Sequence, residues 1–162
     1  MWAFVLATSW LDVLFIPLFL LGIERLEPVA PGAHGYAQNV IHADYTHALL
    51  DVVVIAALFG AVAARWWGRR AGIVLGAVVA SHWLLDLVVH RADMPLLPGN
   101  AGNLPLLGFG LWDSIPASVA AELAIILGAS LVYWRVARPT MRTGVTVLLS
   151  SLVVLALDVF AS

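Results

Sequence analysis

The chain of 162 residues is 62% hydrophobic, sets 8 arginines and no lysine against 10 acids for a net charge of -2, and contains no cysteine. A mean hydropathy of +0.98 is more apolar surface than one small soluble core can hide, so the sequence reads as an integral membrane protein. The charge balance excludes a nucleic-acid binder and an acidic docking tail. Without thiolates, any transition metal must be held by histidine and carboxylate.

A helical span takes roughly 20 apolar residues, and five such stretches are expected near 2–23, 46–66, 71–90, 111–134 and 143–160. The first has no basic n-region and a longer apolar run than a signal peptide carries, so it reads as a retained helix. The two long connections, 24–45 and 91–110, hold most of the prolines and many of the glycines, and no internal repeat divides the chain. The expected architecture is one transmembrane domain over 1–162, an all-α polytopic bundle of about five helices. Arg65, Arg69 and Arg70 lie between the second and third spans, and Arg135, Arg138 and Arg142 between the fourth and fifth. By the positive-inside rule both short connections are cytoplasmic, which puts the N-terminus inside, the C-terminus outside and both long connections outside. Trp66, Trp67 and Trp134 then fall at the cytoplasmic interface and Trp112 at the opposite one.

Polar residues inside these spans are the informative ones. At 1.5 Å per residue, His82 lies about 12 Å below His90, Glu122 about 14 Å below Asp113, and Asp12 about 16 Å below the end of the first span, so all three reach a similar level. His47 and Asp51, His82 and Asp86, and Asp86 and His90 are each four residues apart, which sets each pair on one helical face. A carboxylate near the bilayer centre costs on the order of 3 kcal/mol unless it faces a partner or water. Several at one level imply a shared cavity open to the outer side. A divalent cation, zinc first, would offset the clustered charge and accept neutral imidazole. The competing reading is a hydrogen-bonded network that only ties helices together. His34, in the loop APGAHGYAQN, reads as solvated, Asp113 as the cap of the fourth helix, and Asp158 as interfacial. Arg91, beside His90, is read either as an anion-binding group or as a snorkelling side chain.

The segment HADYTHALL, His42 to Leu50, resembles the H-x-x-[FY]-T-H-S-L-L signature of bacterial inner-membrane proteins known as membrane-bound metal-dependent hydrolases. SHWLLD followed by MPLLPG is similar to that family's S-H-x-x-x-D followed by P-L-L-x-P, and Asp12 in LDVLF keeps one acid of its P-D-x-D-H motif. The resemblance covers roughly residues 10–100. It implies a small helical membrane bundle in the bacterial inner membrane, with His42, His47, His82 and Asp86 as recurrent polar residues and Asp12 as their partner. His90, Asp93 and Glu122 lie outside the matched motifs.

The residues together yield an expected metal set of Asp12, His42, His47, His82, Asp86 and His90, with Glu122 and Asp51 as the carboxylates expected to act in catalysis. The expected activity is hydrolysis of an ester, phosphoester or amide in a lipid or other membrane-associated substrate reached from the outer leaflet, with the metal lowering the pKa of water and a carboxylate as base. Two alternatives stand beside it: an ion or proton transporter built on the same acids and histidines, and an accessory subunit whose polar cluster locks the bundle. No serine-centred nucleophile motif, P-loop or dinucleotide fingerprint is present in the sequence.

Overall fold

The apolar run 2–23 does not form one straight helix. In the computed structural model, which describes residues 2–30 and 38–161 with side chains through Leu157, it divides into α1 (Trp2–Thr8) and α2 (Trp10–Leu20). The two are bent by 54° at Ser9, whose backbone leaves the helical region (φ -106, ψ 9). Thr8 and Ser9 compete with the helix ladder for backbone partners; the Thr8 hydroxyl donates back to the Val5 carbonyl at 2.8 Å. The break sets Asp12 in the first turn of α2.

The connection expected as plain loop carries a two-stranded antiparallel ribbon, β1 (Arg25–Pro28) and β2 (Asn39–His42), with Arg25 opposite His42. His34 lies outside the described residues, as does the side chain of Asp158. Helices α3 (Leu49–Trp67) and α4 (Arg69–Val89) follow, reversing direction at Gly68, which takes a left-handed φ of 84°. Two short 3-10 turns, Pro98–Asn100 and Leu111–Asp113, lead into α5 (Ile115–Ala137) and α6 (Met141–Ala161). α3, α4 and α5 are each long and apolar enough to cross a membrane, a count of three that rises to four, not the expected five, if the bent pair α1/α2 is one broken span rather than a re-entrant loop, and the apolar stretch Met141–Leu157 is a shorter helix. The expected all-α membrane bundle is thus the observed architecture.

Between helices in lipid there is little hydrophobic drive, so close backbone approach through small residues does the packing. On α3 and α4 those residues are Ala56, Gly60 and Ala64 against Gly72 and Gly76; a Cβ on Gly60 would stand 2.8 Å from the Gly72 carbonyl oxygen. α1 packs along α4, while α5 and α6 pair with each other and join the rest chiefly through the turn at Leu111–Asp113. The core is Ala7, Leu11, Val52, Ala56, Ala63, Leu75, Val79, Trp83 and Met94.

The start of α3 has no side-chain cap. Its first amide groups instead donate to the carbonyls of Pro95 and Leu96, Leu49 N–H at 3.1 Å and Leu50 N–H at 3.1 Å, and Gly99 N–H reaches the Asp44 carbonyl at 2.8 Å. MPLLPG therefore serves as an external cap that satisfies orphan donors and clamps the turn carrying His47.

Candidate metal centre

Four side chains from three parts of the chain converge. Asp12 comes from α2, His47 from the turn ahead of α3, and His82 and Asp86 from successive turns of α4. His82 Nε2 lies 3.2 Å from Asp86 Oδ2 and 3.6 Å from Asp12 Oδ1; His47 Nε2 lies 3.5 Å and 3.8 Å from the same two oxygens. One ligand atom from each of Asp12, His47 and His82 falls within 4.8 Å of the others.

The partners behind each imidazole fix its tautomer. Glu24 is fully buried and follows α2; its carboxylate accepts the Tyr45 and Thr46 amide groups at 3.0 and 2.8 Å and the Thr46 hydroxyl at 3.0 and 2.9 Å. An ionised carboxylate can only accept, so the hydroxyl proton of Thr46 is committed to Glu24. The Thr46 oxygen, 2.8 Å from His47 Nδ1, must then accept the Nδ1 proton. His82 Nδ1 stands 2.6 Å from the Thr8 carbonyl, which also only accepts. When neutral, each ring therefore carries its proton on Nδ1 and turns an Nε2 lone pair toward two carboxylates.

Acceptors facing acceptors require a proton or a cation between them. Asp86 Oδ2 is buried and is approached by the two imidazole Nε2 atoms, at 3.2 and 3.5 Å, an arrangement that is costly unless a proton or a cation completes it. A tetrahedral ion with metal–ligand distances near 2.0–2.1 Å has ligand–ligand edges of about 3.3 Å, and the four nitrogen–oxygen edges here run from 3.2 to 3.8 Å. Asp12, His47 and His82, with Asp86 beside both imidazoles, offer imidazole and carboxylate donors that suit zinc and other first-row divalent ions. Glu24 and Thr46 supply the outer carboxylate–hydroxyl–histidine support usual behind such ligands.

His47 is held from two further directions. The Trp83 indole N–H donates to its carbonyl at 2.8 Å, and the edge of Phe15 meets its ring at 6.3 Å between centroids. Thr46→Val, close in shape, removes the hydroxyl that links Glu24 to His47 and is expected to weaken divalent-metal affinity about ten- to a hundredfold. Thr46→Ser should restore it. Titration against a competing chelator measures this, and an unchanged affinity in the valine variant would deny the relay its role.

His90 does not join the converging ligands but stands next to them. It is buried, its Nδ1 donates to Asp93 Oδ1 at 3.0 Å, and its ring lies 6.5 Å from that of His47 and 4.7 Å from Trp112. Helix α4 ends at Val89, and although the His90 N–H still bonds the Asp86 carbonyl at 2.7 Å, its ring is engaged by Asp93 and Trp112. Asp93 Oδ2 accepts the Ile41 amide at 3.0 Å, tying the ribbon to this flank.

Three other expected site residues sit elsewhere. His42 is on β2, paired with Glu27 at 3.1 Å, a diagonal cross-strand neighbour. Asp51 stands half-buried in the first turn of α3. The residue between it and His47, Ala48, is extended (φ -67, ψ 131), so spacing of four does not place the two on one face. Glu122 lines a cleft between α5 and α6 with Ile126, Ser151 and Leu155. It shares an estimated depth with His82, but α5 pairs with α6 rather than entering the α2–α4 group. Asp113 makes no side-chain cap to α5; its carboxylate instead accepts from Arg91 Nε.

Sequence reasoning missed Glu24, which lies in a stretch that reads as surface loop. Thr46, directly ahead of His47, was the one available signal of the relay. No protein-family model matches the chain, and neither curated proteins nor solved structures provide a match.

Proposed function

We propose that this chain is a membrane-embedded metal-dependent hydrolase of the bacterial inner membrane, with its site toward the outer leaflet. The observation that carries the reading is the pair of imidazoles engaged through Nδ1 by Thr46 and by the Thr8 carbonyl, each turning Nε2 toward Asp12 and Asp86. The resemblance of HADYTHALL and SHWLLD to the membrane-bound metal-dependent hydrolases agrees with it. A bound divalent ion, zinc by its donor set, supplies Lewis acidity toward water and toward a carbonyl or phosphoryl oxygen.

The residues divide the remaining work. His47, His82 and Asp86 have side chains only 7%, 17% and 13% exposed, while Asp12 is 57% exposed, so the cluster opens on the Asp12 side, between α2 and α4. A substrate ester, phosphoester or amide reaches it from there. With Glu122 placed between α5 and α6, the group suited to relay a proton beside the cluster is His90, whose ring is oriented through Nδ1 by Asp93. A transporter would need polar groups through the other half of the bundle, where the interior is Ala7, Ala63, Leu75 and Val79.

The test is turnover by metal-loaded protein in proteoliposomes against lipids carrying ester, phosphoester and amide linkages, with products read by mass spectrometry. One linkage class is expected to be cleaved, the activity to disappear with a chelator and return with the metal, and Asp86→Asn to lower it at least about a thousandfold. Protein that holds one ion per chain and cleaves none of the three would overturn the hydrolase reading.

A further inference from the structure

At the end of the bundle opposite the polar cluster, α1 and α2 stand away from α3 and leave a cleft of about 440 Å³. Its walls are wholly apolar and include Trp2, Leu6 and Trp10 on one side and Ile55, Phe59 and Val62 on the other. Aromatic pairs prop it open at two levels: Trp2 on Trp67 with centroids 5.4 Å apart, and Trp10 on Phe59 at 5.2 Å. The gap arises because α1 packs along α4, and the bend at Ser9 turns α2 away from the line of α1. From Ile55 to Trp66 it follows α3 for about 17 Å, a length suited to an extended hydrocarbon chain.

Charge marks the mouth. Arg65 lies seven residues after Leu58 and three after Val62, both lining residues, so it extends the same edge of the cleft by helical spacing. Arg69 and Arg70 follow at the α3–α4 turn, Arg69 on the wall of the separate groove between α3 and α4, and all three arginines are exposed. No hydrogen bond or ion pair engages these three side chains among the described residues. No acid occurs in the sequence between Asp51 and Asp86. The site therefore joins an apolar slot, an aromatic rim of Trp2, Trp66 and Trp67, and uncompensated positive charge.

We propose that this cleft binds one acyl chain of an anionic phospholipid, whose headgroup phosphate is held at Arg65, with Arg69 and Arg70 adding positive charge at the same end of α3 and α4. The chain fills the space between α1/α2 and α3, and the arginines select the charge. The site is separate from the polar cluster and does not depend on the hydrolase reading.

The experiment offers purified full-length protein in detergent an equal mixture of dioleoylphosphatidylglycerol and dioleoylphosphatidylcholine, with retained lipid counted by native mass spectrometry. One phosphatidylglycerol per chain is expected, preferred about tenfold or more over phosphatidylcholine. R65Q/R69Q/R70Q is expected to keep a lipid and lose that preference. Val62→Trp fills the slot from its exposed wall and Leu6→Trp from the facing one, and each is expected to expel the lipid; agreement between the two walls separates slot-filling from a folding defect in either. Equal retention of the two lipids by the wild type would overturn the proposal. So would undiminished retention in both tryptophan variants, or a dimer that both variants dissociate and that carries no lipid, which would give the cleft to a second copy of the chain.

Discussion

Replacing His82 with alanine is expected to take the divalent-metal content of the purified protein from one ion per chain to background. His47→Ala and Asp86→Asn should do the same, and the double variant His47→Ala/His82→Ala should be no worse than either single one. The reason is geometric. His82 Nε2 makes the shortest approach in the cluster, 3.2 Å to Asp86 Oδ2, and also stands 3.6 Å from Asp12 Oδ1, and a site with so few protein ligands that loses one keeps too few to outcompete water. Residues that act through one ion are coupled, so their losses do not add. Elemental analysis beside protein concentration reads the result. A chelator should also lower the unfolding midpoint of the wild type, since the ion binds only the folded chain, and leave that of His82→Ala in place. Full occupancy in each single variant would put the ion elsewhere. A wild type that holds no metal and does not respond to chelator would leave the cluster as an ion-pair network joining α2, α3 and α4.

What the sequence disclosed follows from which features are local. His82 and Asp86 could be paired in advance because α4 is unbroken through both, and helical spacing then fixes their shared face. Asp12 could be set at their level because its depth is counted from the far end of the span, along α2, and the bend at Ser9 lies on the other side of it. Asp51 does not share a face with His47 because α3 has not begun at Ala48, and His90, bonded back to Asp86 at the end of α4, is held instead by Asp93. Glu122 shows the other limit, since depth says nothing about which helices are neighbours. The ribbon of β1 and β2 was illegible because each strand is only four residues long and ten residues separate them. Glu24 was illegible because its burial depends on the turn at Ala43–His47 folding over it, a long-range contact with no local signature. The prolines after SHWLLD were noticed only as part of a motif; their physical use, capping α3 with the carbonyls of Pro95 and Leu96, needed the fold.

Gly72→Val is the second large effect expected, and it acts on the scaffold rather than on the chemistry. A Cβ at Gly72 would lie 2.4 Å from the Gly60 carbonyl oxygen, 2.6 Å from Ala64 Cβ and 3.0 Å from Ala64 Cα. Two of those atoms are backbone and the third is a methyl fixed to it, so no rotamer change relieves the clash and the two helices must separate. Separation forfeits the close packing that joins α3 to α4, where lipid offers no hydrophobic penalty to hold them together. Overpacking of this kind costs about 3 kcal/mol or more, which at this chain length should lower the thermal midpoint in detergent by roughly 6–12 °C or prevent accumulation altogether. Gly128 in α5 is the control, because a Cβ there meets nothing within 4 Å. Gly128→Ala should leave the midpoint unchanged or raise it slightly, as alanine favours the helix by up to about 1 kcal/mol. The two failures should also be separable by metal content. Gly72 is about 15 Å along α4 from His82, so whatever fraction of Gly72→Val folds should still carry its ion, whereas His82→Ala should fold and carry none. A Gly72→Val protein as stable as the wild type would mean that α3 and α4 do not approach as closely as these contacts require.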